Sequence, residues 1–429
     1  MSIKRNEADR ADSIKNETKD SEKGAKSFNT SKLQVVEMYF DNKYQFRFNS
    51  IKCKPEIKNT AENQKKFTPV DKYILNSLKR ELDACNTKVS TADIKDLIES
   101  DYSPKVNPIT DYFKNLKSPD PGSNFIKELA STVSVANFEM WEQYLTRWLV
   151  AVIANAMNEQ GCQNHTCLVL TGGQGKFKTT WLDNLCPKDL QNYIFTGKID
   201  PNNKDSLTYI AEFLFINIDD QLRQLNKKDE NELKNLITAP SVKYRRPYDP
   251  YIMEYPHTAS FMASVNGNDF LTDPTGSRRF LPFEVLNIDI KKAKSINMDL
   301  VYSQAMKLYK DGYRYFFNDE EIESLNENNK KFQVNTAEEQ LISTYYKVPI
   351  TREQSTHFLK AAVIQARIEK TTHAKLNLKK TGEALIRLGF ERWQRTVNRQ
   401  TEWVYSVIEK TFEEIDQESK LNTEKEEIF

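Results

Sequence analysis

The sequence predicts an α/β core, preceded by an α-helical N-terminal region and followed by a small α+β domain. Three observations lead to that reading. Between Cys167 and Val285, short apolar runs alternate with helical stretches, the texture of a sheet layered between helices. One of those runs opens into a glycine-rich loop and then a helix. From Ile350 to Ile408 the order changes to helix, helix and two strands, which reads as a unit of its own.

The elements follow in order. Residues 1–34 carry one aromatic, Phe28, among charged and polar residues, so they bury too little to order themselves and read as a disordered polar arm. Leu33–Phe40 and Tyr44–Ile51 look like strands of a hairpin turned by Asp41-Asn42-Lys43. Helical patterns then cover Val70–Cys85, Ala92–Ser100, Pro108–Leu116 and Phe138–Met157. In the last of these, Trp141, Tyr144, Leu145, Trp148, Leu149 and Ile153 form one broad apolar face. Residues 298–345 return to helix, and Glu409–Phe429 holds eight acids against three lysines, an acidic tail. The predicted division is therefore 1–34, 35–160, 161–345, 346–408 and 409–429.

Composition narrows the classes. A length of 429 residues suits two to three domains at about 150 residues each. The hydrophobic share of 38% lies below the roughly 45–50% of globular domains, as expected with solvated ends. Lys+Arg (62) and Asp+Glu (61) nearly cancel, so only the placement of charge can point to partners. No run reaches the ~18 apolar residues of a membrane span, and the first residues lack a signal-peptide core, so a cytoplasmic protein without a membrane role is expected. Five cysteines without a Cys-x-x-Cys pair read as reduced thiols. Cys162, His165 and Cys167 lack a fourth ligand at zinc-site spacing, and His257, His357 and His373 stand apart from any nucleophile.

The sharpest motif runs from Cys167 to Thr180. After the apolar strand come Gly172, Gly173, Gln174, Gly175 and Lys176, then Phe177, Lys178, Thr179 and Thr180 at a helix start. This is the P-loop pattern G-x-x-x-x-G-K-[ST] with Phe177 in place of the second glycine. Glycines let the backbone close on phosphate, successive N–H groups form an anion nest, and the helix N-terminus favours negative charge. Lys178 would span the β- and γ-phosphates of ATP, and Thr179 would offer its hydroxyl to Mg²⁺. Downstream, Phe213–Asp220 is an apolar run ending in two carboxylates. Asp219 would hold Mg²⁺ and Asp220 would polarise the attacking water. A third run, Ser260–Val265, ends at Asn266, whose amide could orient that water. A turn then presents Arg278 and Arg279, cations suited to a phosphoryl group, and from a neighbouring subunit they would couple hydrolysis to assembly.

On these residues the chain resembles the virulence-associated protein E family, whose ATPase core is similar to superfamily 3 helicases. The likeness covers about Lys105 to Glu284. It is most specific at Lys243-Tyr-Arg-Arg-Pro-Tyr248 and at Phe270-Leu-Thr-Asp-Pro-Thr-Gly-Ser-Arg-Arg-Phe280. The resemblance implies an AAA+-like fold with Lys178 and Thr179 as Walker A, Asp219 and Asp220 as Walker B, Asn266 as sensor 1, and Arg278 or Arg279 as arginine finger. It implies ATP, Mg²⁺, a homo-oligomeric ring such as a hexamer, and a motor in replication of a mobile element or phage-like genome. Many relatives carry a primase. Residues 33–160 show no aspartate constellation for one, so a separate primase or replication protein is a possible partner.

Two basic regions would meet DNA. Ser241–Tyr255 interleaves Lys243, Arg245 and Arg246 with Tyr244, Tyr248 and Tyr251, the pairing of cations and stacking rings that single strands require. Superfamily 3 enzymes carry a basic channel hairpin at this place. Thr351–Ile408 holds eleven Lys+Arg against five acids, and its order resembles a winged helix. There Lys379, Lys380 and Arg387 would sit on the recognition helix and Arg399 in the wing, a surface for duplex DNA. The alternative reading is a non-motor P-loop regulator that binds DNA and hydrolyses ATP slowly; a third is a degenerate ATPase acting as scaffold.

Overall fold

A computed structural model describes residues 31–417, apart from 121, 159–160, 247–249, 273–276 and 398. Residues 1–30 of the expected arm and 418–429 of the acidic tail lie outside the described residues. The centre is a five-stranded parallel sheet: β1 (Cys167–Thr171), β2 (Ile194–Gly197), β3 (Phe215–Asp219), β4 (Ser260–Ser264) and β5 (Phe280–Glu284), in the order β5-β1-β4-β3-β2. The fold is thus mixed α/β with a parallel sheet.

Apart from the edge strand β2, the strands are buried on both sides, and their residues divide between two cores with a period of two. Leu168, Leu170, Met262, Leu281 and Phe283 face one core, built with the helices Phe138–Met157 and Met298–Lys310. Cys167, Val169, Ile216, Ile218, Phe261 and Ala263 face the other, covered by the helices Lys204–Glu212 and Lys227–Thr238. The helix Phe138–Met157 runs with the predicted bounds, and its Trp141 and Trp148 are wholly buried on the sheet. Helices Pro108–Lys114 and Phe125–Ala130 join the same core. The boundary expected at residue 160 therefore falls too late: the separate N-terminal core contains only residues between Val36 and Tyr102.

Within that N-terminal unit, the expected strand Leu33–Phe40 is part of a helix, Lys32–Lys43. Ser31 and Gln34 form a capping box, and Val36 and Phe40, four residues apart, are the buried pair, while Leu33, Val35 and Met38 face solvent. The hairpin exists one element later, pairing Tyr44–Asn49 with Lys54–Asn59. The C-terminal unit also starts earlier than residue 346, because the helix Ala337–Tyr345 contributes Ile342 to its core. It contains helices Ala361–Thr372 and Leu378–Arg387 and the strands Arg392–Val397 and Gln400–Glu409, as expected, plus an unforeseen short strand, His357–Leu359. Residues 412–417, assigned to the tail, are helical and tied back by Glu414 to Lys347 at 2.6 Å. Among the described residues, no helix is long and apolar enough to cross a membrane.

One ion pair fastens the helix Asp319–Asn329 to the core. Arg147, buried on the helix Phe138–Met157, donates to Glu321 Oε1 at 2.6 Å, and Arg314 donates to the same oxygen at 2.7 Å. The Arg147 hydrogen bond holds the Glu321 carboxyl down at about 2, against an ordinary 4.5. A depressed carboxylate stabilises the fold above its ordinary range and loses that contribution as pH falls from about 4.5 towards 2. Glu321→Gln should therefore lower the melting temperature at pH 7, and the gap from wild type should narrow by pH 3. Equal gaps at both pH values, by thermal denaturation, would contradict the assignment.

Candidate active site

The glycine-rich loop leaves the C-terminal end of β1, where the parallel strands all point. Gly172 has φ +121°, and a Cβ there would sit 2.9 Å from the carbonyl oxygen of Val285, so no side chain fits. Gly172 also exchanges backbone hydrogen bonds with Gly267, at 3.4 and 3.1 Å, which fixes the loop against the end of β4. Lys176 donates to the Val285 carbonyl at 3.0 Å. Phe177, the departure from the motif, caps the helix Lys178–Asp183 in the left-handed region (φ +57°, ψ 22°) and is 55% exposed. The backbone position that favours glycine is retained, and a phenylalanine occupies it under strain.

Lys178 is only 5% exposed, and its ammonium donates to Gly172 O (3.0 Å), Gly173 O (2.7 Å) and Asn266 Oδ1 (3.1 Å). Burial pushes its pKa down, Lys176 adds to that, and Asp220 and Asp219 act against it. Beside it, the Thr179 hydroxyl donates to Asp219 Oδ1 at 2.7 Å. Ser264 Oγ donates to the same oxygen at 2.8 Å and lies 3.0 Å from the Thr179 hydroxyl. Asp220 has φ +46°; its N–H bonds to Ser264 O at 3.0 Å and its Oδ1 accepts from the Asn266 N–H at 3.1 Å. Lys178, Thr179, Asp219, Ser264 and Asn266, with Gln174, Gly175 and Thr180, line a cavity of about 260 Å³ at the helix N-terminus.

The local order explains the convergence. β4 lies between β1 and β3, so Ser264 and Asn266 stand between the loop lysine and the two aspartates. Buried Asn217 on β3 donates to Asp183 at 2.8 Å and so pins the loop helix to the sheet. Three polar participants escaped the sequence reading. Ser264 and Asn217 sit inside apolar strands, where a single polar residue carries no motif. Arg223 follows Asp220 closely and donates to the Asn266 carbonyl at 2.9 Å, with Asp269 as counter-ion at 3.1 Å.

Arg278 and Arg279 lie elsewhere. They precede β5, whose Phe280 pairs with Cys167 at the start of β1, while Glu284 pairs with Thr171 next to the loop. They are therefore at the opposite end of the strands, roughly 13 Å away along β5. Ser277 is anchored there by Asn326 and Asn329.

The basic hairpin forms as Ser241–Tyr244 against Met253–Pro256. Lys243 and Arg245 are exposed at it, although Lys243 has Glu254 at 3.4 Å. Tyr248 lies outside the described residues. Arg246 departs from its expected role. Its guanidinium donates to Lys52 O and Ile51 O at 2.9 and 3.1 Å, pairs with Glu212 at 3.2 Å and stacks on Tyr255. That cation is committed to joining the hairpin to the N-terminal unit and is not free for phosphate. Tyr244 is likewise buried. On the C-terminal unit, Lys379 and Lys380 are exposed in the first turn of their helix, an end where cations are unfavourable unless an anion joins them. Arg399 is exposed in the strand turn at φ +65°. Arg387, by contrast, is paired with buried Glu339 at 3.1 Å, which removes it from a free basic surface.

Comparison with known proteins follows this geometry. No curated protein matches the chain. Among solved structures it is similar to the apo structure of the NrS-1 C terminal region (305-718), at 11% identity and a TM-score of 0.49, over 88% of this chain and 99% of that one. The A form apo structure of the same NrS-1 region gives 11% identity and 0.47, over 88% and 99%. The family model for the virulence-associated protein E-like domain matches residues 119–334, a span that takes in the whole central sheet, the glycine-rich loop and the arginine turn. With half of its length matched, the chain belongs to the virulence-associated protein E-like family.

Proposed function

We propose that the chain is an ATP-hydrolysing P-loop enzyme of the AAA+-like, superfamily 3 helicase-like kind, which moves on DNA during replication of a mobile element or phage-like genome. The observation that carries this reading is the meeting of Lys178, Thr179, Asp219, Ser264 and Asn266 around one cavity at a helix N-terminus. Lysine and backbone N–H groups suit a polyphosphate, and a set of hard oxygens suits Mg²⁺. Thr179 and Asp219 would hold the metal, which when bound supplies charge neutralisation on the phosphates. The protein's own groups do the rest. Lys178 exchanges its loop carbonyls for phosphate oxygens, Asn266 orients the attacking water, and Asp220 accepts a proton from it. Arg278, exposed at the far end of the strands, serves the site of a neighbouring copy in a ring. Lys243 and Arg245 contact a single strand, and Lys379, Lys380 and Arg399 contact DNA from the C-terminal unit.

One observation favours the slower, non-motor regulator as a second reading. Lys178 starts with three partners within 3.1 Å, so engagement of phosphate must first break contacts the loop already satisfies.

Three outcomes test the proposal. Lys178→Ala should lose most ATP hydrolysis with its circular dichroism unchanged. Asp220→Asn should bind ATP yet turn it over about a hundredfold more slowly, whereas Asp219→Asn should chiefly raise the Mg²⁺ requirement. Normal rates in these three variants would remove the catalytic assignment. For the trans arginine, Arg278→Ala should be inactive alone and regain partial activity when mixed with Lys178→Ala; no rescue in co-assembled protein would refute it. For DNA, replacing Lys243 and Arg245 with alanine should flatten the salt dependence of single-strand binding, by about 0.7 per lost phosphate contact. An unchanged slope, with ATPase still stimulated by DNA, would turn the reading to the regulator.

A further inference from the structure

A second cavity, of about 370 Å³, lies at the opposite end of the strands from the glycine-rich loop, beside the starts of β1 and β5. Its described lining residues include Arg278 and Arg279 but no aspartate or glutamate. Two guanidinium groups sharing a cavity without a carboxylate repel one another and favour an incoming anion. Arg279 is the more enclosed of the two. Its Nε is buried without a hydrogen-bond partner, and burial with the neighbouring Arg278 pushes its pKa down.

A second polar group is also left open. Asn164 lines the cavity, is 0% exposed, and its Nδ2 has no partner. Its Oδ1 accepts from Thr166 N at 3.3 Å and from Thr166 Oγ1 at 3.0 Å, which fixes the amide so that the donor end is the free one. A buried amide donor without an acceptor costs about 1–3 kcal/mol unless a guest satisfies it. The lining is also aromatic, with Tyr315 and Phe316 edge to face at 5.8 Å and Phe316 60% exposed.

We propose that this cavity is a second nucleotide site, in which Arg279 takes the phosphate, Phe316 stacks on the base, and Asn164 donates to an acceptor on the base edge. Each part of a nucleotide has a group of the right chemistry: cation for phosphate, ring for ring, donor for a base nitrogen or carbonyl. A cavity of this size is at the small end of ligand pockets, which suits a mononucleotide better than a strand. The site belongs to one chain and does not depend on the hydrolytic reading, since the glycine-rich loop is at the other end of the strands. Arg278, at the rim, remains available to a neighbouring copy.

The test uses full-length protein, with AMP, ADP and inorganic phosphate as probes. Isothermal titration with ADP should give two sites per chain in wild type. Photolabelling with 8-azido-ADP should mark peptides of both the glycine-rich loop and the Tyr315–Phe317 segment. Lys178→Ala should lose the first label and keep the second. Adding Arg279→Ala should weaken the remaining site about tenfold or more, as should Phe316→Ala, a surface change that leaves the fold intact. AMP should bind this site more tightly than inorganic phosphate. Labelling confined to the loop in wild type, a second label unmoved by Arg279→Ala and Phe316→Ala, or equal affinity for phosphate and AMP would overturn the proposal. Because Lys178→Ala reports on one end of the strands and Phe316→Ala on the other, failure here is distinguishable from failure of the ATPase reading.

Discussion

A single carboxylate oxygen organises the candidate active site. Asp219 Oδ1 accepts from Thr179 on the loop helix and from Ser264 on β4, at 2.7 and 2.8 Å, so three elements meet at one atom. The strand order makes this possible. With β4 inserted between β1 and β3, its terminal residues become the bridge between Lys178 and the two aspartates. The two cores on either side of the sheet then act as the rigid backing. Trp181 and Leu182 of the loop helix are buried in one core, so the helix cannot drift without opening it.

The N-terminal unit is held to this core by polar and cationic contacts. Asn49 donates to Tyr193 at 2.6 Å, Lys52 sits 3.8 Å over the Phe213 ring, and Arg246 grips the carbonyls of Ile51 and Lys52. All three contacts reach segments between β1 and β4, the part of the chain that also carries the two aspartates. The hairpin formed by Ser241–Tyr244 and Met253–Pro256 is therefore fastened by Arg246 while Lys243 and Arg245 stay exposed, which divides one basic run into an anchor and a solvent-facing part.

Much of the fold could be read in advance because its signals are local. The bounds of Phe138–Met157, the start of the loop helix at Lys178 and the strand end at Asp219 follow from periodicity and end chemistry. The Leu33–Phe40 segment has the apolar content of a strand but the spacing of a helix: Val36 and Phe40 are the buried pair, and Ser31 with Gln34 carries the capping signature. Domain limits were misplaced for a different reason. Whether a helix belongs to its neighbour in sequence or to a sheet far along the chain is decided by packing, as for Pro108–Lys114 and Ala337–Tyr345. The same holds for Arg246 and Arg387, whose partners Glu212 and Glu339 are remote in sequence and invisible to a local charge count.

Phe177 has a consequence for how the loop responds to a guest. A glycine at that place would let the free loop wander among many backbone states, and closing on any guest would then carry an ordering cost. Phenylalanine has few such states, so the loop enters the encounter already shaped, with about 1–3 kcal/mol held as backbone strain instead. The cost of order is thereby moved from the moment of binding to the moment of folding.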